Sequence, residues 1–137
     1  MITVVAINPE ENEKFFKTTT EGFEVELMIV DDLGQMPIDN KDIIIFHPRT
    51  KDMNPIWLTE EKVEDFNNFD FPENSYYIFG AEYGNIINDI EVNAPSFMDR
   101  ARWIKIPTKK DFKSLQAHVA CGIVLWERYK KLGKATL

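Results

Sequence analysis

The chain has a single cysteine, Cys121, one arginine before residue 100, and no long apolar run. One thiol excludes an internal disulfide and a cysteine-built zinc site. No apolar stretch approaches the ~20 residues that a membrane-crossing helix needs. Glycine is scarce, six residues in all, and no glycine-rich phosphate loop follows any expected strand. Gly80-Ala81-Glu82, the nearest candidate, lacks the lysine and hydroxyl that such a loop carries. The start, Met1-Ile2-Thr3-Val4-Val5-Ala6-Ile7, has neither the basic region nor the cleavage site of a signal peptide, so a cytoplasmic protein is the expectation.

What is present fits one α/β domain over residues 1–137, long enough for one hydrophobic core. Hydrophobic residues make up 44% and charged residues 28%, an ordinary globular balance. The net charge of −7 argues against a general nucleic-acid binder, but it is unevenly spread. Residues 1–99 carry 6 Lys/Arg against 21 Asp/Glu, and residues 100–137 carry 10 against 2. The C-terminal part is therefore basic and the rest strongly acidic. A basic, solvated helix end balancing an acidic body accounts for this as well as a binding surface does.

Along the chain, Thr3–Ile7 reads as a strand. Asn8, Pro9 and the acids Glu10 and Glu11 read as a helix start, with Phe15 and Phe16 on the apolar face and an end at Gly22. Glu24–Val30 and Asp42–His47 are further strands, the latter an unbroken apolar run of the kind covered on both faces. Thr59 opens a second helix in which Val63, Phe66 and Phe69 share a side. Tyr76–Phe79 and Arg102–Ile106 complete five strands. A long last helix, capped by Ser114, reaches about Lys131. Strands alternating with helices imply a mainly parallel sheet with helices on both faces. Ligands of such sheets sit at the carboxyl ends of the strands, which directs attention to the junctions after Phe46, Phe79 and Ile106.

Two of those junctions carry a pattern. Ile78-Phe79-Gly80-Ala81-Glu82-Tyr83-Gly84-Asn85 resembles the strand-to-loop segment of the SPOUT RNA methyltransferases. Ile106-Pro107, a polar stretch, and Ser114-Leu115-Gln116 entering an Ala-rich helix resemble the last motif of the same family. The branch closest in likeness is the SpoU-like one, which methylates ribose 2′-hydroxyls in RNA. Taken singly, the first segment is a plain turn and Ser114 a helix cap; their order together carries the resemblance. It implies a trefoil knot in the C-terminal half, S-adenosylmethionine held bent within it, and a homodimer through helix 114–131. It also implies donor contacts at Phe79, Gly80, Glu82, Gly84, Ile106, Pro107, Ser114 and Leu115, with Glu82, Ser114 and Gln116 around the reacting atoms. Gly80 and Gly84 allow a sharp turn or a close backbone approach.

The sequence departs from that family at its first motif. Asn12 fits the asparagine position, but Lys14 stands where glycine is usual and Thr18 where an arginine engages phosphate; Lys17 is only a neighbour. Lysine lacks the fork that grips phosphate bidentately. Gln116 replaces the usual asparagine of the last motif. Arg49, after the third strand, is a candidate substitute for the phosphate-binding arginine, set against the simpler reading of an ordinary loop residue. Arg100, Arg102, Lys105, Lys109, Lys110 and Lys113 form a basic segment suited to RNA, tRNA or rRNA by the resemblance. The last helix is apolar almost all round, which implies burial on more than one side. His47 and His118 are expected to be packing residues, and no metal ligand set is expected.

The function expected is S-adenosylmethionine-dependent ribose 2′-O-methylation of RNA. The alternative is a knotted dimeric domain that binds the donor or RNA without methyl transfer. An unrelated doubly wound domain is the third class, but the acidic pair that a receiver needs after its first strand is replaced here by Ile7-Asn8.

Overall fold

A computed structural model describes residues 1–37, 39–47, 55–80, 85–108 and 115–133. The described strands form one all-parallel sheet: β1 (Thr3–Ile7), β2 (Glu26–Val30), β3 (Asp42–Phe46), β4 (Val63–Asp65), β5 (Ser75–Phe79) and β6 (Ala101–Lys105). Their order is β2-β1-β5-β3-β6-β4. The late strands β5 and β6 each lie between strands that precede them in the chain. Among the described residues four helices accompany the sheet: α1 (Glu13–Gly22), α2 (Ile86–Asn93), α3 (Phe97–Arg100) and α4 (Ala117–Lys131).

Alternation along the strands builds two cores, one on each face. Val4, Ala6, Ile44, Phe46, Tyr77, Phe79 and Ile104 meet Phe16 of α1 and Cys121, Val124 and Leu125 of α4. Val5, Ile7, Ile43, Ile45, Ile78 and Trp103 turn the other way, onto Ile87 and Ile90 of α2 and Phe97 of α3. β1 and β5 are buried at every residue, which explains why they read as continuous apolar runs. Cys121 is fully buried in α4, and burial pushes its thiol up to about 12. A thiolate is the reactive form, so Cys121 in the folded protein is expected to resist a disulfide exchange reagent. It should react on unfolding in urea; rapid labelling of the native state would contradict the packing.

Three expectations are corrected. The helix expected from Thr59 through Phe69 is instead a 3₁₀ turn at Glu60–Lys62, the edge strand β4, and a second 3₁₀ turn at Phe66–Asn68. Val63, Phe66 and Phe69 recur every third residue, the 3₁₀ period rather than the α period. Asp65 accepts the Asn67 amide at 2.8 Å and closes the second turn, while Val63 pairs with Trp103 in the sheet. The first helix does not start at Asn8: Asn8 and Glu10 have φ of 44° and 50°, a 3₁₀ turn covers Glu10–Asn12, and α1 begins at Glu13. Finally, α4 begins at Ala117 with Gln116 in the N-cap position, later than expected; Ser114, the expected cap, lies outside the described residues.

The apolar last helix buries one side only within this chain. Ala120, Cys121, Val124 and Leu125 face the core, whereas Val119, Ile123 and Trp126 are exposed. A side chain at Gly122 would meet open space. Phe15 of α1 extends this apolar surface: it is exposed, and its ring stacks on His118 with centroids 5.0 Å apart.

Candidate functional site

The parallel register brings three strand ends together. Phe46 lies opposite both Phe79 and Ile104, so the residues that follow β5, β3 and β6 emerge side by side at one edge of the sheet. The Phe46 and Phe79 rings stack in parallel, centroids 5.0 Å apart and 8° between planes. The His47 amide donates to the Ile104 carbonyl at 3.0 Å, extending the ladder one residue past β3. A small apolar cleft opens here, lined by Phe46, His47, Ile106, Leu115 and Ala120. The start of α4 therefore closes over the ends of β3 and β6.

Of the residues expected at the site, Phe79, Gly80, Ile106, Pro107, Leu115 and Gln116 are described, and they fall at this edge. Phe79 is buried beneath the cleft, Ile106 and Leu115 line it, and Pro107 and Gln116 are exposed. Gly80 is not in the left-handed region, and a Cβ there would meet nothing within 4 Å. No described residue packs closely enough to require a glycine at this position. Arg49, Glu82, Gly84 and Ser114 lie outside the described residues, as do Lys109, Lys110 and Lys113. Asn85, the last residue of the first motif, is the cap of α2: its side-chain oxygen accepts the Ile87 amide at 2.9 Å.

The structure adds Phe46, His47 and Ala120 to the cleft. The strand-end rule pointed to the junction after Phe46, but nothing local in the sequence marks Ala120. His47 packs edge-on against Trp103, centroids 5.7 Å apart, and also lines the cleft, so its expected role as a packing residue is only part of its setting. Among the described residues no group of three or more His, Cys, Asp or Glu is placed to hold a metal ion.

The basic segment is less free than its composition suggests. Arg100 precedes β6, at the opposite edge of the sheet, and donates to the carbonyls of Asp39 and Lys41, each at 3.1 Å. Arg102 grips Glu64 with two hydrogen bonds, at 2.9 and 2.7 Å, and Asp70 at 3.0 Å. Its guanidinium also lies over the Phe69 ring. The hydrogen bonds that Arg102 donates to Glu64 are the main reason its pKa lies above the ordinary value. Lys17, the neighbour of the missing arginine, pairs with Glu13 at 2.9 Å. Lys105 remains exposed at the site edge.

No family model and no curated protein matches the sequence. Solved structures match its fold. One, from work on the 2-OH methylation of C/U34 on tRNA, has a TM-score of 0.67 at 19% identity and covers 97% of this chain and 91% of its own. A Bacillus anthracis protein provisionally described as an RNA methyltransferase has a TM-score of 0.65 at 17% identity, over 100% of this chain and 98% of its own. An AdoMet-bound rRNA methyltransferase from Sinorhizobium meliloti has a TM-score of 0.56 at 12% identity, over 96% of this chain and 56% of its own. The likeness to SPOUT enzymes noted in two short motifs is thus met by a whole-chain likeness, and this protein has the fold of solved RNA methyltransferases.

Proposed function

We propose that this chain is an S-adenosylmethionine-dependent RNA ribose 2′-O-methyltransferase, acting on tRNA or rRNA as a cytoplasmic homodimer. The observation that carries the reading is the cleft at the joined ends of β3 and β6, beside Gly80 and under the start of α4. Its lining takes Ile106 and Leu115 from the last motif, and Phe79 of the first motif pairs with Phe46 in the neighbouring strand. That lining is apolar, the character an adenine face needs, and no described residue lies within 4 Å of a Cβ placed on Gly80. The interleaving of β5 and β6 among earlier strands agrees with a C-terminal knot. No helix among the described residues is long and apolar enough to cross a membrane.

The donor, when bound, supplies a methyl group on a sulfonium sulfur. For transfer to a ribose 2′-hydroxyl, the site would have to hold that oxygen in line with the methyl group and take up its proton. Phe46, Ile106, Leu115 and Ala120 would exclude water and orient the donor, which is the larger part of what a transfer site supplies. Glu82, Ser114 and Gln116 are proposed around the reacting atoms, and Arg49 on phosphate. The departures at Lys14, Thr18 and Gln116, with Lys17 held by Glu13, favour a second reading: donor or RNA binding without transfer. Incubation with methyl-labelled donor and total tRNA or rRNA separates the two. Label in ribose supports transfer; donor binding without label supports the second reading.

The exposed face of α4 is proposed as the dimer surface. Trp126 and Val119 lie on it with Gly122 between them, where close approach meets no side chain. Trp126→Asp would place a charge in that contact, and sedimentation should show a dimer for the wild type and a monomer for the variant. A wild-type monomer would remove the dimer from the proposal.

A further inference from the structure

Strand β2 lies at one side of the sheet and pairs with β1 alone. The hydrogen bonds at its ends fix which way its backbone points. Asn8 donates to the Val30 carbonyl at 2.8 Å, so Val30 and, by alternation, Met28 and Glu26 turn toward β1. The Val25 and Asp31 amides turn the other way, onto the Thr20 carbonyl at 3.0 Å and the Gln35 side chain at 2.7 Å. Leu27 and Ile29 lie between them, and their N–H and C=O groups point outward too. None of those four groups bonds to a described residue. Ile29 is itself 38% exposed. The opposite edge, β4, is only three residues long.

Folded proteins blunt such an edge with lysine, proline, a bulge or a covering loop. Strand β2 has no lysine or proline, and its register with β1 is unbroken over all five residues. What flanks the open groups is carboxylate. Residues 18–40 carry six Asp/Glu and no Lys/Arg. Glu24, Glu26 and Asp31 are exposed, and neither they nor Asp32 is ion-paired with a described residue. Unpaired carboxylates occur elsewhere on this acidic chain; here they bracket open strand backbone.

A second copy suits this edge poorly. Set antiparallel about Met28, each copy would hold its Glu24 against the other's Asp32, and like charges directly opposed are destabilising. A cationic strand brings the opposite sign to the same places. We propose that the β2 edge docks an extended, lysine- or arginine-rich segment of another protein as an added strand. Main-chain bonds to Leu27 and Ile29 supply the affinity in this mode of recognition, and the carboxylates select the charge of the partner. The docking does not depend on the methyltransferase reading.

The probe is a fluorescein-labelled octapeptide of alternating lysine and valine, read by anisotropy. Saturable binding is expected, and the unlabelled peptide should slow hydrogen exchange at the Leu27 and Ile29 amides. The same peptide N-methylated along its backbone keeps its charge, loses its donors, and should bind about tenfold more weakly or worse. So should the peptide to Ile29→Pro, which removes one outward N–H and leaves the ladder to β1 whole. Asp31→Lys should weaken binding about three- to tenfold. Glu61→Lys makes the same charge change beside β4 and should shift it by no more than about twofold at physiological salt. No binding, or equal affinity for the N-methylated peptide or for one of alternating glutamate and valine, would overturn the proposal. So would unchanged exchange at Leu27 and Ile29 in the complex, a result that stands even if Ile29→Pro fails to fold. A wild-type dimer that Ile29→Pro converts to monomer would assign the edge to a second copy instead.

Discussion

Phe46→Ala is expected to lower the unfolding free energy by about 3–5 kcal/mol. Phe46 is 3% exposed and is the hub of an aromatic cluster. Its ring centroid lies 5.0 Å from Phe79, 5.5 Å from Tyr77, 5.6 Å from Phe69 and 6.3 Å from Phe66. Removing the ring deletes its burial and leaves a cavity between two neighbouring strands and the Phe66–Phe71 connection, which can collapse only partly. Aromatic pair geometry adds a smaller amount for each partner. The check is urea denaturation: a shifted midpoint at constant slope shows lost stability without a change in the surface exposed on unfolding. A loss under about 1 kcal/mol would mean the cluster is looser than drawn.

Ala120→Phe is expected to block the cleft. Ala120 lies on the cleft side of α4 and is nearly buried, so a phenyl ring there has either the cleft or the core to enter. A ring that fills the cleft should weaken donor binding about tenfold or more, whereas overpacking of the core costs about 1–3 kcal/mol of stability. A ring forced into the core would instead lower stability, so urea midpoints measured alongside distinguish the two. Weak donor binding with a wild-type midpoint is the expected pair of results.

Five of the six strands are readable from local pattern because β1, β3 and β5 are buried on both faces and β2 and β6 are bounded by turns. β4 is not readable: Val63-Glu64-Asp65 is short, two-thirds acidic, and a strand only because Trp103, Ile104 and Lys105 pair with it. The three-residue recurrence of Val63, Phe66 and Phe69 imitates a helix face, since periods of 3.0 and 3.6 are hard to tell apart over seven residues.

The site shows the same division. Its candidate location is legible from the strand ends and the two motifs, both local signals. The availability of its cations does not, because their partners lie far off in sequence: Glu64 and Asp70 for Arg102, Asp39 and Lys41 for Arg100. A count of basic residues treats those arginines as free for RNA, and the folded chain has already engaged them.

Titration of S-adenosylmethionine into the purified protein by calorimetry asks whether the edge formed by β3, β5 and β6 accepts an adenosyl group. Saturable heat in the wild type, sharply reduced in Ala120→Phe, is what the geometry requires. A folded wild-type protein that takes up no donor, or a variant that takes it up as tightly, would show that this cleft is not the donor site.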